Sequence, residues 1–224
     1  HLKYRPVKKL FICLANSKKY GGRCLAGIEV RRDENGVLQI IRDARNLPLW
    51  IRPVSHSEYG EIPDKLVRHL QLCDLVSFDA ADACPHGYQQ ENTRFVGTIF
   101  EKSGYLKIHR HNLIQLTDNR EGLLGNHRKQ LNPSEIAALD HSIVLIHVEP
   151  PGIRLYEIGA THLRIVFRYQ QAEYDLPVTD IDFYLRWIDA PGLLADKSDV
   201  FLCVSLSREK EGFYYKLVAG VLEV

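Results

Sequence analysis

The residues best equipped for chemistry lie in two short polar words, Asn16-Ser17-Lys18-Lys19-Tyr20-Gly21-Gly22-Arg23 and Pro85-His86-Gly87-Tyr88-Gln89-Gln90-Glu91-Asn92. In the first, Lys18, Lys19 and Arg23 supply positive charge, and Gly21-Gly22 allow close backbone approach. Turns rich in amides and glycine present N–H groups to phosphate, so this word, with Asn16 and Ser17 at its entrance, suits a phosphate contact. The same composition also describes an ordinary solvated turn between strands. In the second word, His86 donates, accepts or titrates near neutrality and Tyr88 offers a stacking face. Gln89 and Asn92 carry donor–acceptor edges that read a base or another polar ligand. Glu91 accepts from a base amine, or joins His86 as a general acid–base couple. The plainer reading is a turn whose amides satisfy local backbone groups.

A third segment, Trp50 to Ser55, sets Trp50, Arg52 and Val54 on one face if extended, with Ser55 next to them. An aromatic ring beside an arginine suits base stacking and a backbone or cation–π contact. The alternative is that Trp50 fills the core and Arg52 pairs with a carboxylate. Near the end, Phe213-Tyr214-Tyr215-Lys216 resembles a stacking strip with a cation, of which a strand exposes one face at most.

Motifs that would name an enzyme are missing: there is no HExxH, GxSxG or P-loop. Asp180 and Asp182 have the type for a divalent cation, but Thr179-Asp180 reads better as a helix cap. His109, His111, His127 and His141 lack metal-ligand spacing to a thiol or carboxylate partner, so neither a metal site nor a cofactor is expected. The five cysteines form no CxxC pair, and four sit in apolar surroundings as reduced hydrophobes would. Cys84, beside Pro85-His86, reads as a spectator thiol.

The elements that must hold these words are mostly strands. Lys9 to Ala15, Arg23 to Val30, Val37 to Ile41, Leu49 to Val54, Leu72 to Phe78 and Phe95 to Phe100 are strand-like, with Asn35-Gly36 as a hairpin signal. In the second half, Ser142 to Val148, Arg154 to Ile158, His162 to Tyr169, Glu173 to Val178, Val200 to Leu206 and Tyr214 to Val224 repeat the style. Asn132-Pro133-Ser134-Glu135 spells a capped helix start running to about Asp140. A second helix, capped at Thr179 or Asp180, runs through Trp187 with Ile181, Tyr184, Leu185 and Ile188 on one face. Asp64 to Gln71 is a weaker third.

With 224 residues, 29 basic against 28 acidic, the chain has no basic field over its whole surface. Nucleic acid, if bound, must meet a local patch. No apolar run is long enough to span a bilayer, so a cytoplasmic protein with no membrane partner is expected. Short strands at close spacing at both ends, joined by a polar middle, predict a mainly β chain of two tandem small barrels with a few short helices. The expected boundaries are residues 1–104 for the first barrel, 105–141 for an irregular or helical connector and 142–224 for the second.

The words FICLANSKKYGGRCLAG, WIRPVS, PHGYQQEN, YDLPVTD and FLCVSL…GFYYKLVAGV, in that order, resemble the dual OB-containing domain family of prokaryotic proteins, from about Lys9 to Val221. The resemblance implies two OB-like barrels. It also brings an inferred role in binding nucleic acid and a contextual link to defence or repair systems. Residue by residue, Lys18, Lys19, Arg23 and Arg52 are expected to meet phosphates. Trp50 and Tyr88 would stack, and His86, Gln89, Glu91 and Asn92 would read polar edges. The expected ligand is single-stranded nucleic acid or a nucleotide. The alternatives are a small enzyme working through His86 and Glu91, or an adaptor that recruits a protein partner.

Overall fold

The computed structural model describes residues 5–224 and divides into two compact units, one ending at Lys107 and one running from Ile108 to Val224. In the first, β1 (Val7–Lys19) and β2 (Gly22–Arg32) form a long hairpin. β3 (Leu38–Ile40) pairs with the far end of β2 through the turn after Asp33, whose carboxylate accepts from the Asn35 and Val37 N–H groups. Then come β4 (Trp50–Val54), helix α1 (Asp64–Val67), β5 (Asp74–Ala83), β6 (Asn92–Phe95) and β7 (Glu101–Tyr105).

The pairing closes a ring of five strands in the order β1-β2-β4-β6-β5 and back to β1. One contact, β4 with β6, is parallel, and the others in the ring are antiparallel. Numbering only the ring strands gives 1-2-3-5-4-1 with a helix between the third and fourth, the order of an OB barrel. Inward residues of alternating strands fill it: Phe11, Cys13, Leu25, Ile51, Val76, Phe78 and Phe95, with Val67 and Leu70 closing one end. Phe78 and Phe100 stack at 5.6 Å and Phe95 and Phe100 at 4.5 Å. Gly27 permits the tight approach of β2 to β1, since a Cβ there would lie 1.8 Å from the Ile12 carbonyl oxygen. The strand expected over 95–100 ends at Phe95, because Phe100 turns back into this aromatic cluster.

The second unit contains α2 (Arg110–Ile114), β8 (Gln130–Leu131), α3 (Pro133–Ala137), β9 (Ile143–Val148), β10 (Arg154–Ile158), β11 (His162–Tyr169), β12 (Ala172–Pro177), α4 (Ile181–Asp189), β13 (Val200–Lys210) and β14 (Phe213–Glu223). Residues 108–141 belong to this unit. Asn132 and Glu135 form a capping box that starts α3. β10-β11-β12 make one sheet and β8-β14-β13-β9 another. The parallel bridge Val178–Val218 relates the strand that β12 began to β14, and the Thr179 N–H donates to the Val218 carbonyl at 2.8 Å. The OB order therefore recurs, with its first strand broken into β9 and β10 at Pro150-Pro151-Gly152 and the barrel half closed.

Asp180 caps α4, accepting from the Phe183 N–H at 3.0 Å and, with its other oxygen, from the Val221 N–H at 3.0 Å. The expected apolar stripe of α4 is corrected: Phe183 is the buried residue, while Leu185 and Ile188 are exposed. Among the described residues no helix is long and apolar enough to cross a membrane.

Candidate functional site

The first polar word is mostly strand. β1 runs through Lys19 and β2 starts at Gly22, with Lys18 opposite Arg23, so the turn is only Tyr20-Gly21. Both turn residues have positive φ, 42° and 84°, the two-residue geometry that matches strand twist. Asn16 and Ser17 are buried. The Asn16 amide donates to the Val67 and Leu70 carbonyls at 3.0 and 2.9 Å, fastening the end of α1 to β1. Arg23 donates to Asp64 at 2.7 Å and to the Asn16 carbonyl at 3.4 Å. What the word presents outward is Lys18, the half-buried Lys19 and Tyr20. Tyr20 is 62% exposed, and its ring stacks on Tyr59 with centroids 4.3 Å apart and planes 23° apart. Sequence reading misses this pair. The signal available is a bulky aromatic directly before Gly-Gly, where a tight turn favours asparagine.

The second word is the β5–β6 connection. His86 and Gln89 exchange backbone hydrogen bonds at 3.2 and 3.0 Å, making a tight turn at Gly87-Tyr88. The Gln90 amide donates to the Gly87 carbonyl and the Asn92 amide to Gln89 Oε1 at 3.3 Å. His86 and Gln90 are exposed, Tyr88 and Gln89 half-buried, and Asn92 buried. Cys84, at the entrance, has its thiol pushed up by burial, away from the thiolate form.

Arg52 and Glu91 differ from the expected ligand contacts. Arg52 is 2% exposed, and its guanidinium stands 2.9 Å from the Glu91 carboxylate, itself buried. The parallel pairing of β4 with β6 sets the two together: the Arg52 N–H donates to the Glu91 carbonyl at 2.9 Å. Two opposite charges withdrawn from water hold each other there, and neither is offered to a phosphate or a base. Glu91 is committed to Arg52 rather than to His86 as an acid–base couple. Trp50 is half-buried, and Ser55 donates to the Glu61 carbonyl at 2.5 Å, holding the loop after β4. Arg94 donates to the Ser55 carbonyl from β6.

In the strip at the end of the chain, Phe213 is exposed and Lys216 is on the covered side. Lys216 is 0% exposed, donates to Asn126 at 3.0 Å (carbonyl) and 2.8 Å (Oδ1), and stands 5.3 Å from the centre of the Tyr174 ring. Burial pushes its ammonium down to about 7, aided by Arg128 and opposed by Glu135. On the outer side of β10-β11-β12, Arg164 donates to Asp175 at 2.8 Å, and Tyr156 donates to the other Asp175 oxygen at 2.6 Å. Asp180 is spent on backbone N–H groups rather than on a cation. Among the described residues no cluster of three or more His, Cys, Asp or Glu stands in metal-binding geometry.

No curated protein matches the chain. Among solved structures, it is similar to one described as "Molecular basis for abrogation of activation of pro-inflammatory cytokines", with TM-score 0.35, 7% identity and coverage of 99% of this chain and 93% of the other. A murine DNA binding protein bound with ds DNA has TM-score 0.32 and 6% identity over 96% of this chain and 99% of that one. The tetrameric p202 HIN2 has TM-score 0.27 and 8% identity over 96% and 91%. Similarity at this level carries no weight for function. The dual OB-containing domain family matches residues 9–221. With nearly the whole sequence matched and the OB strand order present in each unit, this chain belongs to the dual OB-containing domain family.

Proposed function

We propose that the first barrel binds single-stranded nucleic acid or a nucleotide-like ligand through its β1–β2 and β5–β6 turns. The observation that carries this reading is a correspondence of position. OB barrels take oligonucleotides on the loops joining strands 1–2 and 4–5 and on the face of strands 2–3. In the 1-2-3-5-4-1 ring the first of these loops is the Tyr20-Gly21 turn inside the first polar word, and the second holds most of the other word. Lys18 and Lys19 supply charge at one loop. His86, Tyr88 and Gln89 supply polar edges and a ring at the other. The balance of 29 basic and 28 acidic residues favours a short ligand over a long polymer.

The test is fluorescence anisotropy with labelled single-stranded DNA and RNA at low and moderate salt. Binding that weakens with salt is expected. Lys18→Ala with Lys19→Ala should lower affinity and reduce the salt slope by about 1 for each phosphate no longer neutralised. His86→Ala with Gln89→Ala should weaken binding with less change in slope. A folded protein that binds neither strand at low salt would sink the reading.

A further inference from the structure

Tyr20 is an unusual residue for its place. A two-residue turn with positive φ at both positions prefers Asn-Gly, because a large side chain in the left-handed region crowds its own backbone. Here the first position holds tyrosine at φ 42°. The residue is not tucked away for packing but remains 62% exposed. One face of its ring is nevertheless fixed, against Tyr59 at 4.3 Å and 23°. Tyr59 is half-buried in the loop that follows β4, where the Ser57 and Ser55 hydroxyls meet at 2.7 Å and Ser57 bonds the Glu61 carboxylate at 2.7 Å. The ring of Tyr20 is thus ordered on one side and open on the other, beside Lys18 and Lys19.

We propose that the open face of Tyr20 is a stacking site for one unpaired base, so that a nucleobase extends the Tyr59–Tyr20 pair into a stack of three rings. This rests on the nucleic-acid reading of the first barrel and sharpens it to a base-dependent contact selective for single strands. A base in a duplex already has neighbours above and below and cannot stack at the tip of a hairpin without leaving its helix. Tyr59 holds the ring in place before the ligand arrives, so little side-chain freedom remains to be lost on binding. Lys18 and Lys19 lie in the adjoining strand end, suited to the phosphates that flank the stacked base.

Anisotropy with three labelled probes tests this: single-stranded oligothymidine, an abasic strand of the same length, and a duplex. The wild-type protein should bind oligothymidine at least about five-fold more tightly than either of the others. Tyr20→Asn should lower the affinity for oligothymidine by about ten-fold and leave the abasic strand unchanged, while Tyr20→Phe should keep most of the preference. Asparagine suits the turn, so a thermal melt should show the fold retained. Equal wild-type affinity for the base-bearing and abasic strands would overturn the stacking site while leaving the barrel reading intact. So would a Tyr20→Asn protein that loses both strands alike. A folded wild-type protein that binds no probe would overturn both. The comparison of base-bearing and abasic strands uses the wild-type protein and does not depend on any variant folding.

Discussion

The two barrels share a strand order and differ in where they keep their charges. The first buries an opposite pair, Arg52 with Glu91, between adjacent parallel strands and leaves Lys18, near a strand end, and His86, at a turn, exposed. The second matches the charges on its outer sheet, where Asp175 answers both Arg164 and Tyr156. Its buried charged residues, among those described, are Asp118, Asp180, Asp199 and one cation, Lys216, which donates to the two oxygens of Asn126. A charge buried beside a partner inside the fold is not exposed to meet a ligand. Residue type alone therefore does not mark a contact, since Arg52 and Lys18 look alike in the sequence and lead opposite lives in the structure.

The contrast is tested most severely at the buried pair. Arg52→Ala or Glu91→Ala should destabilise the protein by about 3–5 kcal/mol in urea unfolding, because each strands the other charge away from water. Replacing both together with Met and Leu should recover most of that loss. A small effect of either single change would mean that the pair is not insulated from solvent. The next effect is at the amide that pins α1. Asn16→Ala should cost about 1–3 kcal/mol by leaving two buried carbonyls without their donor, read in the same experiment.

The second barrel should reveal itself by pH. Lys216 falls to about 7 when folded, against 10.5 in the unfolded chain. Between those values the unfolded chain holds a proton that the native one lacks, so stability rises with pH through that window. Below the window both states are protonated and the difference is gone. The slope approaches about 1.4 kcal/mol per pH unit, and Lys216→Met should flatten it in denaturation curves taken across the range. The smallest effect is the most useful control. Arg164→Ala, on the charge-matched sheet, should leave affinity for single strands unchanged by anisotropy, whereas Lys18→Ala weakens it; an equal loss from both would erase the distinction between the barrels.

Much of the architecture is legible in the residues. Asn35-Gly36 announces its turn, Asn132 to Glu135 spells out its capping box, and alternation in His162 to Tyr169 marks a strand with one buried face. These signals are local, carried by neighbours in the chain. The Arg52–Glu91 pair depends on a parallel pairing of strands far apart in sequence, which no spacing reveals. Sequence alternation permits Lys216 to face either way, and tertiary packing under Tyr174 decides it. In the same way, Leu185 and Ile188 share a helical face that the fold leaves in solvent, because Phe183 sets the rotation of α4. Both polar words are visible in the sequence as candidate sites, but strand, latch or ion pair consumes much of each.

Lys216 also gives the second unit a chemical clock. The complete burial of Lys216, which holds the amine near 7, denies acylating reagents an approach, and any opening that admits them also returns the amine toward its ordinary, protonated state. Its modification must wait for the surrounding structure to part. The acylation rate of this one lysine, set against the surface lysines that react at once, then counts how often the half-closed barrel breathes.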